Sequence, residues 1–248
     1  MELRVESGRL LWRLFPDGGP ELVHDYLRLS DDVISIQAAL GASDPHLKLV
    51  MERFYGLRLV RQDPNEALLS FVCSAANSIP RISRAIEEMS RLYGELVCEQ
   101  GNLCYYAFPK PERLACLEPL VLKSVGSLGF RGEVLRSVSQ HLVDRGEGWL
   151  LSLRGMPYEE AKQQLVAIRG VGAKIADCVC LFSLDKDEAV PVDTHVRQLA
   201  HRLFLPDMKA KSITDAVYKR IVEVFHERYG PYAGWAQQFL FYEDLLRS

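Results

Sequence analysis

Between Ile168 and Val196 the chain reads IRGVGAKIADCVCLFSLDKDEAVPVDTHV, and this stretch limits the fold more than any other. One apolar helical run stops at Gly170-Val171-Gly172 and a second begins at once. Two glycines one residue apart permit a tight backbone turn with outward-facing N–H groups. The flanking Leu165, Ile168, Val171 and Ile175 suit two helices packed across that turn. Its N–H groups, with the positive end of the following helix, suit a phosphate oxygen. A plain interhelical turn would carry the same glycines, so both readings stand at this point.

Helical signals dominate the remainder. Residues 2–15 alternate around Ser7-Gly8 and predict a small β-hairpin, which Gly18-Gly19-Pro20 ends. Short helices are expected over Glu21–Leu29 and Asp31–Leu40, and from Asp44-Pro45 to about Tyr55. Asp63-Pro64 opens NEALLSFVCSA, which is apolar all round and therefore buried. Arg81–Tyr93 is amphipathic; Gly94–Pro111 reads as irregular, with Cys104–Tyr106 a short strand or loop. Further helices are expected around Glu112–Cys116, Pro119–Val125, Glu133–Asp144, Gly146–Leu153 and Tyr158–Ala167, then Asp193–Phe204, Ile213–Tyr229 and Ala233–Leu246. The class is mainly α: two helical lobes, a helix-hairpin-helix motif at the cleft, and a β-hairpin remnant over 1–19. The lobes are read as 20–64 packing with 186–248, and 65–185 ending in the hairpin motif.

Composition removes several function classes. The 248 residues hold no apolar run of about 18, so no transmembrane helix is expected. The N-terminus lacks the apolar core and cleavage site of a signal peptide, and an intracellular protein (cytoplasm or nucleoid) follows. Six cysteines make neither a CxxC pair nor a zinc spacing, and none is near the C-terminus, so neither a metal site nor an iron–sulfur cluster is expected. Net charge is −3, yet residues 1–70 carry 8 basic and 11 acidic residues, leaving 22 of each beyond them. A locally basic face on a neutral body is compatible with a nucleic-acid partner.

Two residues in the central stretch carry chemistry. Lys174 stands in the first turn after the glycines, where the helix field opposes a positive charge. That setting favours a neutral, nucleophilic amine; an exposed lysine touching a phosphate is the alternative. Asp193 follows Val190-Pro191-Val192 and has the pattern of an N-cap. Residues 185–192, at about 3.3 Å each when extended, are long enough to bring Asp193 back beside Lys174. An amine and a carboxylate at one mouth suit attack on a glycosidic carbon, the carboxylate stabilising the positive charge that develops on the sugar.

At these residues the chain resembles the helix-hairpin-helix/GPD superfamily of DNA glycosylases, and within it the 8-oxoguanine DNA glycosylase/AP lyase family. The resemblance rests on 165–196 and on LVRQDPNEALLSFVCSAANSIPRI (59–82), SLGFRGEVL (127–135) and GPYAGWAQQFLF (230–241), and spans about residues 20–248. It implies Lys174 as the Schiff-base lysine and Asp193 as the essential aspartate. It implies Gly170, Val171 and Gly172, with His195, as contacts to the DNA backbone. Cys178 and Phe241 would sandwich the extruded base, and Gln237 would read its Watson–Crick edge. Phe130 would be the wedge in the duplex, and Arg81 and Arg131 would face the orphaned cytosine. The implied partner is double-stranded DNA with an oxidised guanine, bound by a monomer that needs no cofactor; a cation at the hairpin stays open.

The resemblance has two departures. The asparagine that the family places five residues before Arg81 is Ala76 here, with Asn77 about 100° further round. Weaker discrimination of the opposite base is therefore expected. The N-terminal sheet domain also looks cut down to its last hairpin, about Glu2–Phe15, without the glycine whose carbonyl accepts the N7 proton of 8-oxoguanine. Formamidopyrimidine or uracil therefore stay open as substrates, as does a hairpin module that grips DNA without catalysis.

Overall fold

The computed structural model of the chain describes residues 1–75, 77–210 and 212–246, with the backbone alone for Ser127. Residue 76, on which the expectation about Ala76 falls, lies outside the described residues. The elements are β1 (Glu2–Glu6), β2 (Arg9–Arg13), α1 (Pro20–Tyr26), α2 (Val33–Ser43), α3 (Pro45–Arg53), α4 (Pro64–Cys73) and α5 (Ile79–Tyr93). Then come β3 (Leu96–Gln100), β4 (Leu103–Tyr106), α6 (Pro111–Ala115), α7 (Pro119–Ser124), α8 (Arg131–Arg145) and α9 (Trp149–Ser152). The chain ends with α10 (Tyr158–Val166), α11 (Ala173–Ser183), α12 (Thr194–Leu203), α13 (Asp215–Tyr229) and α14 (Ala233–Leu245). Among the described residues no helix is long and apolar enough to cross a membrane.

The first of two compact units comprises residues 1–30, 61–152 and 168–170. Its centre is α4, started by Asp63, whose carboxylate accepts the Glu66 N–H at 2.9 Å. Ala67, Leu68, Leu69, Val72 and Cys73 are all buried, as the unbroken apolar run requires. They pack on α8, which contributes Leu135 and Val138. Gly132 lets α8 ride directly over α7, since a Cβ there would stand 2.6 Å from the backbone of Leu122 and Lys123. The N-terminal hairpin pairs β1 with β2 from Glu2↔Arg13 to Glu6↔Arg9, with Ser7 and Gly8 both at positive φ in its turn.

A second hairpin occupies part of the stretch expected to be irregular. β3 pairs with β4 across Gly101-Asn102, with Gly101 at φ +61°. A bulge between Leu96 and Cys98 breaks the alternation that would have announced the first strand.

The second unit comprises residues 31–60, 153–167 and 171–248. Helices α10 and α11 belong here, whereas the division read from sequence grouped them with 65–152. They are held by α13: Tyr158 of α10, Asp177 of α11 and Tyr218 of α13 meet through buried side-chain hydrogen bonds. The core is aromatic, with Trp235, Phe239 and Phe225 buried and Phe204 edge-on to Phe225 at 5.4 Å. Helix α14 begins against the preceding turn, where a Cβ on Gly234 would lie 2.5 Å from the Ala189 carbonyl and its N–H donates to Asp187 O at 2.8 Å. That close approach sets where α14 starts.

Asp44 ties the two ends of this unit's sequence together. As N-cap of α3 it accepts the N–H groups of His46 and Leu47 at 2.9 and 3.1 Å. Its other oxygen accepts the Tyr229 hydroxyl at 2.6 Å, with Arg228 at 3.7 Å. Burial raises the Asp44 carboxyl, but the hydrogen bond from Tyr229, the two N–H donors and the Arg228 charge outweigh it and hold the group below its ordinary value. A depressed carboxyl stabilises the fold above the unfolded value, about 3.9, and that contribution is lost as pH falls through the folded value. Asp44→Ala is expected to cost about 2 kcal/mol at neutral pH, from the lost cap and the stranded hydroxyl. Melting curves should show a Tm lower by roughly 4–8 °C, with the gap narrowing as the pH falls below the unfolded value of about 3.9 and through the lower folded one.

Candidate active site

The turn between α10 and α11 has two glycines with different physical reasons to be there. Gly170 lies at φ +97°, and a Cβ on it would stand 2.4 Å from Val134 Cγ1. Both the conformation and the space demand glycine. Gly172 is the N-cap of α11 at φ −94°, ψ 175°, which any residue adopts, and a Cβ there would meet nothing within 4 Å. The helix start is thus open, and no side chain caps it. Its first N–H groups and positive dipole end suit an anion.

Lys174 stands in the first turn of α11, half-buried, and Cys178 follows one turn later with 3 % exposure. The Lys174 amine lies near enough to the Cys178 sulfur to act on its thiol. Burial pushes the Cys178 thiol up to about 12; Lys174 opposes this, while the charges of Asp177 and Asp193 add to it. Cys178 is therefore a neutral thiol at pH 7, and one sulfur feels both the lysine and the aspartate singled out from sequence.

Asp193 reaches this place by a shorter route than an extended loop. After α11 the chain turns tightly, with Lys186 N–H bonded to Cys180 O at 3.1 Å and Asp185 at φ +57°. Lys186 Nζ donates to Arg154 O at 2.6 Å, and Arg154 donates twice to Ser183 O. From Ala189 to Val192 the chain is buried, and Asp193 then caps α12, its Oδ1 accepting the Val196 N–H at 2.8 Å. Two residues on, the exposed His195 sets its ring edge-on to Phe241, with centroids 6.1 Å apart. Phe241 lies one turn beyond Gln237 on α14. Gln237 is 2 % exposed, and its Oε1 accepts Gln238 Nε2 at 2.7 Å.

The other expected residues lie on the first unit. Phe130 ends the loop before α8 with 62 % of its surface exposed, and the Arg131 guanidinium stacks on it at 4.7 Å. Arg131 also donates from Nε to the Ala75 carbonyl and from Nη1 to Leu128 O at 3.2 Å. Arg81 is exposed in the first turn of α5. Asn77 closes the end of α4, its Nδ2 donating to Cys73 O at 3.2 Å and its Oδ1 accepting Ser78 N–H. Among the described residues no three His, Cys, Asp or Glu side chains are grouped to hold a metal ion.

One cluster was not expected. Asp177, fully buried between Ala176 and Cys178, accepts Tyr158 Oη at 2.7 Å, Tyr218 Oη at 2.6 Å and Lys162 Nζ at 2.9 Å. An acidic residue inside IADCVCLF is the only sign of it in the sequence. Its partners stand 15 to 41 positions away, where no local pattern points.

Residues 19–68 match the 8-oxoguanine DNA glycosylase N-terminal domain, and residues 69–227 match the HhH-GPD superfamily base excision DNA repair protein family. The chain is 35% identical to N-glycosylase/DNA lyase OGG1 of Arabidopsis thaliana over 89% of its own length and 61% of that protein. It is 31% identical to N-glycosylase/DNA lyase of Saccharomyces cerevisiae over 77% of its own length and 57% of that protein. It thus spans about three fifths of these curated relatives. A solved structure of Clostridium acetobutylicum 8-oxoguanine glycosylase/lyase, in complex with dsDNA containing cytosine opposite to 8-oxoG, matches with a TM-score of 0.83 and 29% identity, over 99% of this chain and 84% of that one. The chain belongs to the 8-oxoguanine DNA glycosylase family within the HhH-GPD superfamily of base excision DNA repair proteins.

Proposed function

We propose that this protein is a bifunctional DNA glycosylase and AP lyase that removes 8-oxoguanine from duplex DNA. It would act as a monomer in the compartment that holds the DNA. The observation that carries the reading is that Lys174, in the first turn of α11, and Asp193, the N-cap of α12, both act on the buried Cys178 sulfur and so lie at one place. A protein that only gripped DNA would need the turn but not this pair. Lys174 Nζ would attack C1′ of the extruded nucleotide while the bond to the base breaks. Asp193 would stabilise the positive charge developing on the sugar and accept a proton from the amine. The base leaves carrying a proton, and C1′ is left as an aminal still bonded to O4′. Breaking the C1′–O4′ bond, with a proton passing to O4′, opens the sugar to the Schiff base. This acidifies the C2′ hydrogens, so that β-elimination breaks the C3′–O bond, expels the 3′ phosphate and nicks the strand.

The remaining residues would hold the substrate. The open N-terminus of α11 at Gly172, with His195, would take backbone phosphates. Cys178, neutral and polarisable, and Phe241 would stack on the two faces of the base, and Gln237 would hydrogen-bond its edge. Phe130, stiffened by Arg131, would fill the gap left in the duplex, with Arg131 and Arg81 facing the orphaned base. Ala76 in place of the family's asparagine removes one polar contact to that base, and discrimination at that position would be weakened.

Incubation with 8-oxoguanine duplex and borohydride is expected to trap a covalent adduct that Lys174→Gln abolishes. An undiminished adduct with Lys174→Gln, or none with wild type on any lesion, would rule out the mechanism; adducts only on formamidopyrimidine or uracil would move the substrate. The two glycines should separate fold from grip. Gly170→Ala is expected to cost about 1–2 kcal/mol of stability. Gly172→Ala should melt like wild type but bind duplex about tenfold more weakly, since its methyl stands where a phosphate would approach. Excision rates opposite C, A, G and T are expected within about tenfold of one another, the span of a single lost contact. An exclusive preference for C would contradict that expectation.

A further inference from the structure

The buried cluster around Asp177 lies beside the Lys174–Asp193 pair. Asp177 is three residues beyond Lys174 on α11 and next to Cys178. Its carboxylate receives Tyr158 on one oxygen and Tyr218 with Lys162 on the other, and Lys162 Nζ also donates to Tyr158 Oη at 2.9 Å. The Tyr218 hydroxyl has a single proton. Asp177 Oδ2 at 2.6 Å takes it in preference to the Val190 carbonyl at 3.3 Å, because a charged acceptor at shorter range binds more strongly. That choice turns a lone pair toward the N–H of Val192, which Tyr218 Oη accepts at 3.3 Å. Val192 is the residue before Asp193, and the chain here is buried. Two hydrogen bonds thus connect the helix that carries Lys174 to the peptide that carries Asp193.

Stability alone does not account for such a cluster. A buried charged network costs desolvation, and apolar residues of similar volume commonly serve a core as well or better. What hydrogen bonds add is direction and a fixed separation, and misplacement by about 1 Å lowers reaction rates on the order of a hundredfold. We infer that Tyr218, oriented by Asp177, is a positioning residue that holds the Asp193 peptide at a fixed offset from Lys174. This rests on the reading of Lys174 and Asp193 as the reacting pair. Lys162 shares Oδ2 with Tyr218 and lies over its ring at 5.5 Å, whereas Tyr158 binds the other oxygen, on the far side of the cluster from Val192.

The test is single-turnover nicking of 8-oxoguanine duplex by the full chain, with duplex affinity and Tm measured alongside, for wild type, Tyr218→Phe, Tyr158→Phe and Asp193→Asn. Tyr218→Phe is expected to slow the chemical step about ten- to hundredfold with unchanged affinity. Tyr158→Phe should lower Tm yet keep a rate within about threefold of wild type, because it removes a hydrogen bond from the other carboxylate oxygen and leaves Lys162, Tyr218 and Val192 in place. A merely structural role would move both rates together, and that result would overturn the inference. Wild-type turnover by Tyr218→Phe beside an inactive Asp193→Asn would also overturn it while leaving the catalytic reading intact. Full activity of Asp193→Asn would instead overturn the catalytic reading itself. Should Tyr218→Phe not fold, Asp177→Asn removes the charge that orients the hydroxyl, and is read by the same split of rate against affinity.

Discussion

The burial of α11 is the constraint on which the rest of its unit depends. From Ile175 to Leu181 every residue of this helix is buried. A helix covered on all sides needs partners on all sides, and α10, α13, α14 and the turn after Ser183 supply them. The cost of such burial falls on the one charged residue inside it, Asp177, which meets three donors from α10 and α13. Burial still holds its carboxyl above the ordinary value, so the desolvation is only partly offset. A hydrogen-bonded charge at that point fixes how neighbouring elements are set, which a purely apolar core does less sharply.

This arrangement explains how an exposed function can rest on a rigid base. Three of the residues proposed to meet DNA stand at helix starts: Lys174 in the first turn of α11, and Asp193 and His195 at the beginning of α12. A helix start offers unpaired N–H groups and a positive field on a backbone held by the turns behind it. Asp193 serves its helix as a cap, so its carboxylate cannot rotate away without losing the Val196 N–H. Local structure and proposed chemistry thus make the same demand on one side chain.

Much of this was legible in the order of residues. Gly170 announced a positive φ, Asp44, Asp63 and Asp193 announced helix starts, and NEALLSFVC announced a buried helix; each depends on neighbours within four positions. What escaped was non-local or locally disguised. The β3–β4 hairpin hides behind a bulge, although Gly101-Asn102 is a recognisable two-residue turn. The grouping of α10 and α11 with α13 depends on a hydroxyl 41 residues from its acceptor. Arg131 reads as a solvated or base-facing cation, yet it is anchored on the Ala75 carbonyl 56 residues away.

The close approach at Gly234 has a mechanical meaning. Helix α14 is a rod seated at that glycine on the Ala189 and Asp187 carbonyls, and Phe241 sits seven residues along it. At 1.5 Å per residue the lever is about 10 Å long, so a tilt of about 6° at the seat carries Phe241 through about 1 Å. A side chain larger than hydrogen at Gly234 would act on the far end of that lever rather than where it is placed. The width of the proposed stacking slot on Phe241 would therefore be set by a backbone contact two turns away, in a residue that would touch no base.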